Sequence, residues 1–178
     1  MSVEPGDPEA ATGQPALTLA AIDPASPIAL AAMTAYFAEL DAIFPTGFDP
    51  GPAWQSDVAA MGPPNGAFLV LLDATDEVAA CGGVQQLEAG TAEVKRMWVA
   101  PAWRGRGVGA RMLSALEKRA VELGHDRVVL DTNSSLTPAI TMYEHAGYTP
   151  IERYNDNPYA QRWFAKDVGD LEVDRRRS

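Results

Sequence analysis

The sequence has little of several residue types on which whole classes of function depend. Cys81 is the only cysteine among the 178 residues, so an intrachain disulfide and a cysteine-rich zinc site are both excluded. Cys81 lies in an apolar stretch, which predicts a buried, inert thiol. The two histidines, His125 and His145, are scattered, and no group of metal-binding side chains has ligand spacing, so we expect no metal. There is no apolar run of about 20 residues, which predicts that nothing spans a membrane.

Basic residues are also few. The 14 Lys and Arg residues are outnumbered by 24 Asp and Glu residues, which leaves a formal net charge of −10. This balance argues against a nucleic-acid partner, because a nucleic-acid binder needs a basic face. It is compatible with a cationic acceptor, although acidity also keeps a protein in solution. The amino terminus lacks the basic segment and long apolar run of a signal peptide, so we expect a cytoplasmic protein.

What is present predicts one α+β domain over residues 16–168, between a disordered tail at 1–15 and a flexible tail at 169–178. Apolar periodicity and turn residues predict three antiparallel strands, then β-α-β, then a helix and two strands. Helices are predicted at 27–43, 53–61, 107–123 and 138–146. Strands are predicted at 17–22, 67–72, 78–86, 92–99, 127–131, 148–154 and 163–167.

The most informative segment joins the third antiparallel strand to the strongest helix. The stretch from Arg104 to Gly109 reads Arg-Gly-Arg-Gly-Val-Gly and opens directly into the helix. Glycines let a backbone close on a phosphate, helix N-terminal amides carry partial positive charge, and arginines add forked donors. An anion site is therefore predicted here, in preference to a plain turn with exposed arginines.

A dinucleotide site is the rival interpretation of the same glycines. Gly105, Gly107 and Ala110 fit the Gly-x-Gly-x-x-Ala pattern, and Asp131 ends the next strand. Five residues, from Ala100 to Arg104, nevertheless separate the preceding strand from the first glycine. The strands upstream also read as hairpins, whereas a dinucleotide-binding sheet is built from βαβ units.

Two motifs together resemble the GNAT superfamily of N-acetyltransferases. Arg104-x-x-Gly107-x-Gly109 is similar to the family's pyrophosphate loop, and Val99 stands five residues before it, at the end of an acidic strand. The segment from Met142 to Tyr148, Met-Tyr-Glu-His-Ala-Gly-Tyr, resembles the family element that follows the fifth strand. The resemblance implies an acyl-CoA N-acyltransferase fold: a mixed, mostly antiparallel sheet flanked by helices and splayed between the fourth and fifth strands.

The resemblance also implies acetyl-CoA as co-substrate and assigns residues to it. The amides of the loop would hold the pyrophosphate, and the backbone of Met97, Trp98 and Val99 would pair with the pantetheine arm. Family members often carry Asn seven residues before the tyrosine of the second motif, where this chain has Leu136. Asn133 is the substitute candidate for that contact. The loop candidates are Arg104, Gly105, Arg106, Gly107, Val108 and Gly109.

Three side chains are the catalytic candidates. Tyr143 stands where the family places the acid that protonates the leaving thiolate. Glu93 matches a family base position six residues before Val99, and Asp131 could instead act as base or orient the acceptor; an ordered water is a further alternative. Simple strand alternation would put Glu93 on one face with Lys95, Met97 and Val99.

The expected reaction is acetyl transfer to a primary amine of a small molecule or peptide by direct attack on the thioester. The predicted acceptor wall combines Tyr36, Glu39 and the loops 44–49 and 154–159. A silent acyl-CoA-binding module is the alternative of another class, and a nicotinamide-dependent oxidoreductase is a third. The acceptor's identity stays open, and so does a homodimer.

Overall fold

The computed structural model describes residues 16–170, so the tail predicted at 1–15 and all but the first two residues of the tail predicted at 169–178 lie outside the described residues. Strands and helices follow the predicted order closely. The strands are β1 (Thr18–Ile22), β2 (Ala67–Leu72), β3 (Val78–Glu88), β4 (Thr91–Val99), β5 (Arg127–Thr132), β6 (Thr149–Pro150) and β7 (Arg162–Asp167). The helices are α1 (Pro27–Ile43), α2 (Trp54–Ala60), α3 (Val108–Glu122) and α4 (Thr137–His145).

The strands form one mixed sheet of seven in the order β1-β2-β3-β4-β5-β7-β6. Neighbouring strands run antiparallel except β4 and β5, the parallel pair connected through α3. A doubly wound dinucleotide-binding sheet needs successive parallel strands. The topology among the described residues therefore excludes the oxidoreductase alternative.

Helices cover both faces of the sheet, and each face has its own apolar core. On one face, α1 and α2 contribute Met33 and Val58 to a cluster with Phe68 of β2. On the other, Leu116 of α3 and Tyr143 of α4 belong to a larger cluster with the inward residues of β2 to β5 and β7. Burying apolar surface on both faces of a sheet is the main source of stability in this architecture.

The parallel strands β4 and β5 separate after three residue pairs. Pairing of β4 with β5 runs from Thr91 opposite Arg127 to Glu93 opposite Val129, and no pairing follows, although β4 continues to Val99. From Val94 onward β4 is hydrogen-bonded to β3 alone among the strands. We call the gap beyond Glu93 and Val129 the opening. It confirms the predicted splay between the fourth and fifth strands.

A β-bulge at Arg96 changes the side-chain order of β4. Lys95 lies opposite Gly83 and Trp98 opposite Cys81, so three steps on β4 match two on β3. Arg96 takes the extra step with φ 57°, in the left-handed region. Lys95 and Trp98 consequently share a face, and the prediction of simple alternation through β4 is wrong beyond Lys95.

Two smaller predictions also differ from the structure. The strand predicted at 148–154 is only Thr149–Pro150, although the Ile151 amide also donates to the Trp163 carbonyl of β7 at 2.9 Å. A short 3₁₀ turn at Pro101–Trp103, which the sequence did not suggest, links β4 to the glycine loop. Cys81 is buried as predicted, and burial raises the pKa of its thiol to about 12.

Candidate active site

The opening lies between the two helical layers, and both layers contribute a tyrosine to it. Tyr36 comes from α1 and Tyr143 from α4 on the opposite face. They approach closely enough for Tyr36 to raise the pKa of Tyr143. Asp131, near the end of β5, acts on the pKa of both hydroxyls in the same direction. A gap in the sheet thus brings together side chains that a continuous sheet would separate.

Tyr143 is held by packing. Its ring is buried, and the ring centroid lies 6.0 Å from that of Tyr148 and 6.2 Å from that of Phe164. Burial is the main cause that raises the pKa of Tyr143, followed by Tyr36 and Asp131. The phenol therefore keeps its proton throughout the neutral range and can donate it or a hydrogen bond.

Glu93 and Asp131 share the face of the sheet that α1 and α2 cover. Glu93 pairs with Val129, and Asp131 lies two residues further along β5, roughly 7 Å toward the opening. Met97 and Val99 pack into the core of the opposite face. The predicted common face of Glu93 with Met97 and Val99 is wrong because the bulge at Arg96 lies between them.

Glu93 is buried and both of its carboxylate oxygens are hydrogen-bonded. Gln85 Nε2 donates to Oε1 at 2.9 Å, and the Tyr154 hydroxyl donates to Oε2 at 2.7 Å. The Lys95 ammonium lies 4.0 Å from Oε1. Burial first, and then the charge of Glu93, raise the pKa of Tyr154. The sequence did not single out Tyr154 as a partner of Glu93, since 61 positions separate them.

Asp131 is only half-buried, and its partners are neutral. Asn155 Nδ2 donates to Oδ2 at 2.5 Å and Asn157 Nδ2 to Oδ1 at 3.2 Å. Trp163 in turn donates its indole N–H to Asn155 Oδ1 at 3.0 Å, which fixes that amide. Amide donors orient a carboxylate without cancelling its charge, so Asp131 presents a negative group beside the opening.

The glycine loop forms the end of the opening beyond β4. Gly105 and Gly107 have φ of 73° and 75°, which L-residues rarely adopt, and Gly107 caps α3. The first helical residues, Val108 and Gly109, begin a helix whose leading amides have no intrahelical acceptor. A side-chain atom placed on Gly105 would meet nothing within 4 Å, so the backbone there is open to a ligand. These features fit a pyrophosphate group.

The arginines of the loop have protein partners. Arg104 Nε donates to the Val99 carbonyl at 3.1 Å, and its Nη2 donates to Glu39 Oε1. The Arg106 guanidinium stacks on the Trp103 ring at 5.3 Å from its centroid. Trp98 donates its indole N–H to Glu39 Oε2 at 2.8 Å, so Glu39 of α1 connects two predicted coenzyme-binding residues.

The Asn133 side chain is hydrogen-bonded to Tyr159 and Ser135. Its Nδ2 donates to the Tyr159 carbonyl at 2.9 Å, and its Oδ1 accepts from the amide and hydroxyl of Ser135. The amide oxygen and the amide nitrogen of Asn133 are therefore both used in hydrogen bonds that stabilise the turn before α4. Leu136, at the position where family members often carry Asn, is the residue before that helix.

The loops predicted as an acceptor wall do pack together. The Phe48 ring stacks on the Phe37 ring of α1, with the two centroids 5.4 Å apart. The centroid of the Phe48 ring lies 4.7 Å from that of Tyr159. The Tyr159 hydroxyl accepts from the Asp49 amide at 2.9 Å. Arg96 lies over the Phe37 ring and pairs with Asp57 of α2 at 3.1 Å. One aromatic wall therefore connects α1, α2 and both loops beside the opening.

Three further features of the described residues can be compared with the site. A separate cleft of about 900 Å³ lies between α2, the end of β1 and the end of α3, and no candidate site residue lines it. No three His, Cys, Asp or Glu side chains within residues 16–170 are grouped so as to hold a metal ion. The same residues include no helix with the length and apolar character that a bilayer crossing requires.

A sheet that opens between two central parallel strands, with a glycine loop and helix N-terminus beyond the gap, defines an acyl-CoA N-acyltransferase fold. Solved structures share it: an acetyltransferase of the GNAT family from Staphylococcus aureus aligns with a TM-score of 0.71 and 14% identity, over 86% of this chain and 99% of that one. A GNAT family acetyltransferase from Elizabethkingia anophelis, solved with acetyl-CoA bound, aligns with a TM-score of 0.60 and 16% identity, over 85% and 97%.

The sequence comparison gives the family itself. The model of the acetyltransferase (GNAT) family matches residues 33–148, and the chain belongs to this family. An uncharacterised N-acetyltransferase of Schizosaccharomyces pombe is 34% identical over 54% of this chain and 60% of its own length. An IAA acetyltransferase of Azospirillum brasilense is 31% identical over 57% of this chain and 69% of its own. The chain spans 60% of the length of the S. pombe relative, and 47% and 58% of the lengths of uncharacterised N-acetyltransferases of Escherichia coli and Bacillus subtilis.

Proposed function

We propose that this protein transfers an acetyl group from acetyl-CoA to a primary amine of a small molecule or peptide. The observation that carries the proposal is the opening itself. β4 loses its β5 partner after Glu93, and Tyr143, Asp131 and the glycine loop all border the gap that results. An extended pantetheine arm can pair with the unpaired edge of β4 while its pyrophosphate meets the loop.

In the proposed reaction, the amine nitrogen attacks the thioester carbonyl carbon and the carbon–sulfur bond then breaks. The sulfur takes its proton from Tyr143, whose burial and raised pKa suit a proton donor. Tyr143 regains a proton from solvent. A backbone amide of β4 beyond Glu93 is the donor proposed for the developing oxyanion.

The bound ammonium must lose one proton before the attack, and we assign that proton to Glu93 through Tyr154. A second proton leaves the nitrogen for solvent after the carbon–nitrogen bond forms, and Glu93 then releases its own proton to solvent. Glu93 is only 4% exposed, so an acceptor in the opening does not reach it directly. Tyr154 is partly exposed, and its hydroxyl already donates to Glu93. As the phenol passes its proton to the carboxylate it accepts one from the amine, so Tyr154 itself ends neutral. An ordered water beside Tyr154 would serve the same relay.

Asp131 is proposed to bind the acceptor as its ammonium form. Its carboxylate is oriented by two amides, is half-exposed and forms no ion pair with any Lys or Arg of residues 16–170. A protonated amine is the natural counter-ion for such a group. The aromatic wall with Phe48 and Tyr159 would then contact the rest of the acceptor.

Two measurements test this function. A melting-temperature increase with acetyl-CoA, but not with NADH, would support the coenzyme site. Release of free thiol with a panel of polyamines, aminoglycosides, amino acids and peptides would identify the acceptor. Binding of acetyl-CoA without thiol release from any amine would favour the silent acyl-CoA-binding module instead. The absence of both signals would contradict the proposed function. The cytoplasmic location and the homodimer remain predictions.

A further inference from the structure

We propose that Glu39 is a positioning residue that couples coenzyme binding at the glycine loop to the acceptor side of the sheet. The proposal rests on the proposed function, because it requires that the loop hold the coenzyme pyrophosphate. Glu39 lies on α1 and uses one carboxylate oxygen for Arg104 of the loop and the other for the Trp98 indole on β4. No motif of the family resemblance includes it.

Arg104 cannot satisfy Glu39 and a phosphate with the same donor. Its Nε is occupied by the Val99 carbonyl, and its Nη2 by Glu39. A pyrophosphate oxygen arriving at the adjacent helix N-terminus is a strong acceptor for the same guanidinium fork. Arg104 is 47% exposed, so its head can turn toward the ligand at small cost. The pyrophosphate is proposed to take the Nη2 edge that Glu39 now holds, rather than the Nη1 group, and so to displace Glu39 from Arg104.

The displaced carboxylate changes the charge on the acceptor side. Glu39 lies one helical turn after Tyr36 and acts on the pKa of that hydroxyl at the opening. It keeps the neutral Trp98 partner when it loses Arg104, so its negative charge is no longer compensated. Glu39 and Asp131 both raise the pKa of Tyr36, so an uncompensated Glu39 carboxylate adds negative charge on the side where the ammonium ligand is proposed to bind. Bound coenzyme should therefore increase the affinity for the amine, and the amine should increase that for the coenzyme.

The first test is a double-variant cycle read by calorimetry with coenzyme A. Glu39→Gln removes the competing charge but keeps an acceptor for Trp98, so coenzyme A should bind roughly two- to fivefold more tightly, as expected for a partly exposed ion pair. In an Arg104→Ala background the same change should give no gain, because there is no pair to break. Glu88→Gln, which removes one exposed charge at the far end of the β3–β4 hairpin, is the control and should leave the affinity unchanged.

The second test follows the acceptor side. With the amine that releases most thiol in the panel, Glu39→Gln should raise the KM for the amine while the coenzyme affinity rises, a split that a purely structural role would not produce. Equal or weaker coenzyme A binding in Glu39→Gln would overturn the proposal. So would equal gains with and without Arg104, which would indicate simple repulsion between Glu39 and phosphate. Failure of the wild-type protein to bind coenzyme A would instead contradict the proposed function.

Discussion

The Tyr154 hydroxyl donates a 2.7 Å hydrogen bond to Oε2 of Glu93, the last residue of β4 that pairs with β5. Glu93 lies at the base of the opening, and Tyr154 comes from the loop after β6. The bond therefore connects a buried carboxylate to a residue that solvent and a substrate can reach. A proton that moves between Glu93 and the opening has this hydroxyl as its nearest carrier.

This relay predicts the same pH dependence for two variants. Tyr154→Phe and Glu93→Gln should each lower kcat/KM at neutral pH, roughly ten- to a hundredfold, because deprotonation of the amine slows. Activity should recover as pH rises toward the amine pKa of about 10.4, since free amine then forms without help. The pH–rate profile with one identified amine is the measurement.

The double variant is the control for a single route. It should be about as slow as either single variant, because both changes block the same proton transfer. A Tyr154→Phe profile parallel to that of the wild type would remove Tyr154 from the mechanism. An unchanged profile in Glu93→Gln as well would leave a water as the base.

For Tyr143, the prediction separates chemistry from binding. Tyr143→Phe should lower kcat roughly ten- to a thousandfold with little change in the affinity for acetyl-CoA, because the ring still packs on Tyr148 and Phe164. Since burial raises the pKa of Tyr143 above its ordinary value, the phenol keeps its proton through pH 9–10. The wild-type kcat should therefore show no alkaline decline from this group in that range. Loss of binding in step with rate would assign Tyr143 a packing role.

Asp131→Asn should mainly raise the KM for the acceptor. The variant keeps the shape of the side chain and loses the charge that would hold an ammonium group. Initial rates over a range of amine concentrations, with acetyl-CoA saturating, provide the test. If Asp131→Asn instead loses the acidic limb of the pH–rate profile and leaves the KM unchanged, the roles of Asp131 and Glu93 are reversed.

The glycine loop can be tested with a matched pair of alanine variants. Gly105 and Gly124 both have positive φ, 73° and 94°, and an added Cβ would meet nothing within 4 Å at either. Each substitution costs roughly 1–2 kcal/mol of backbone strain, but only Gly105→Ala should weaken coenzyme A binding. Equal affinities in calorimetry would argue against the loop. Gly109 is unsuited to this test because a Cβ there would lie 3.0 Å from the Met142 sulfur.

The free energy of unfolding should depend on Glu117. This buried carboxylate of α3 accepts from the Tyr148 hydroxyl at 3.2 Å and from the Lys166 ammonium at 2.9 Å. Glu117→Ala leaves both donors unpaired and should reduce the free energy of unfolding by about 2–3 kcal/mol. Urea denaturation would measure it. A loss below about 0.5 kcal/mol would indicate that the donors find other partners.

The elements that the sequence predicted best are those with strong local signals. Helix 27–43 was predicted with its observed bounds, since Ser26 caps it and Pro27 occupies its first turn. Strand 67–72 also matches, because its apolar run is bounded by turn residues. The glycine loop and the opening could be anticipated from the family motifs, which combine a local pattern with a fixed spacing.

The rest depends on contacts between distant parts of the chain. Neither the bond of Tyr154 with Glu93 nor that of Arg104 with Glu39 leaves a local sequence pattern. The hydrogen bond from the Asn133 side chain depends on where the Tyr159 carbonyl lies. The bulge at Arg96 is a property of the register between β3 and β4, and periodicity within β4 alone predicts regular alternation.

The bulge at Arg96 reverses the side-chain alternation between the two halves of β4. Before Arg96 the odd-numbered residues of β4 face α1 and α2, and after Arg96 the even-numbered residues do. Glu93 and Trp98 therefore lie on the same side of the sheet. Deleting Arg96 would restore strict alternation and still keep the Trp98 indole on the side of Glu39, because Lys95 and Trp98 would then be two residues apart. Substitutions in this strand can therefore adjust one face at a time, and loss of the extra residue would leave the linings of both faces in place.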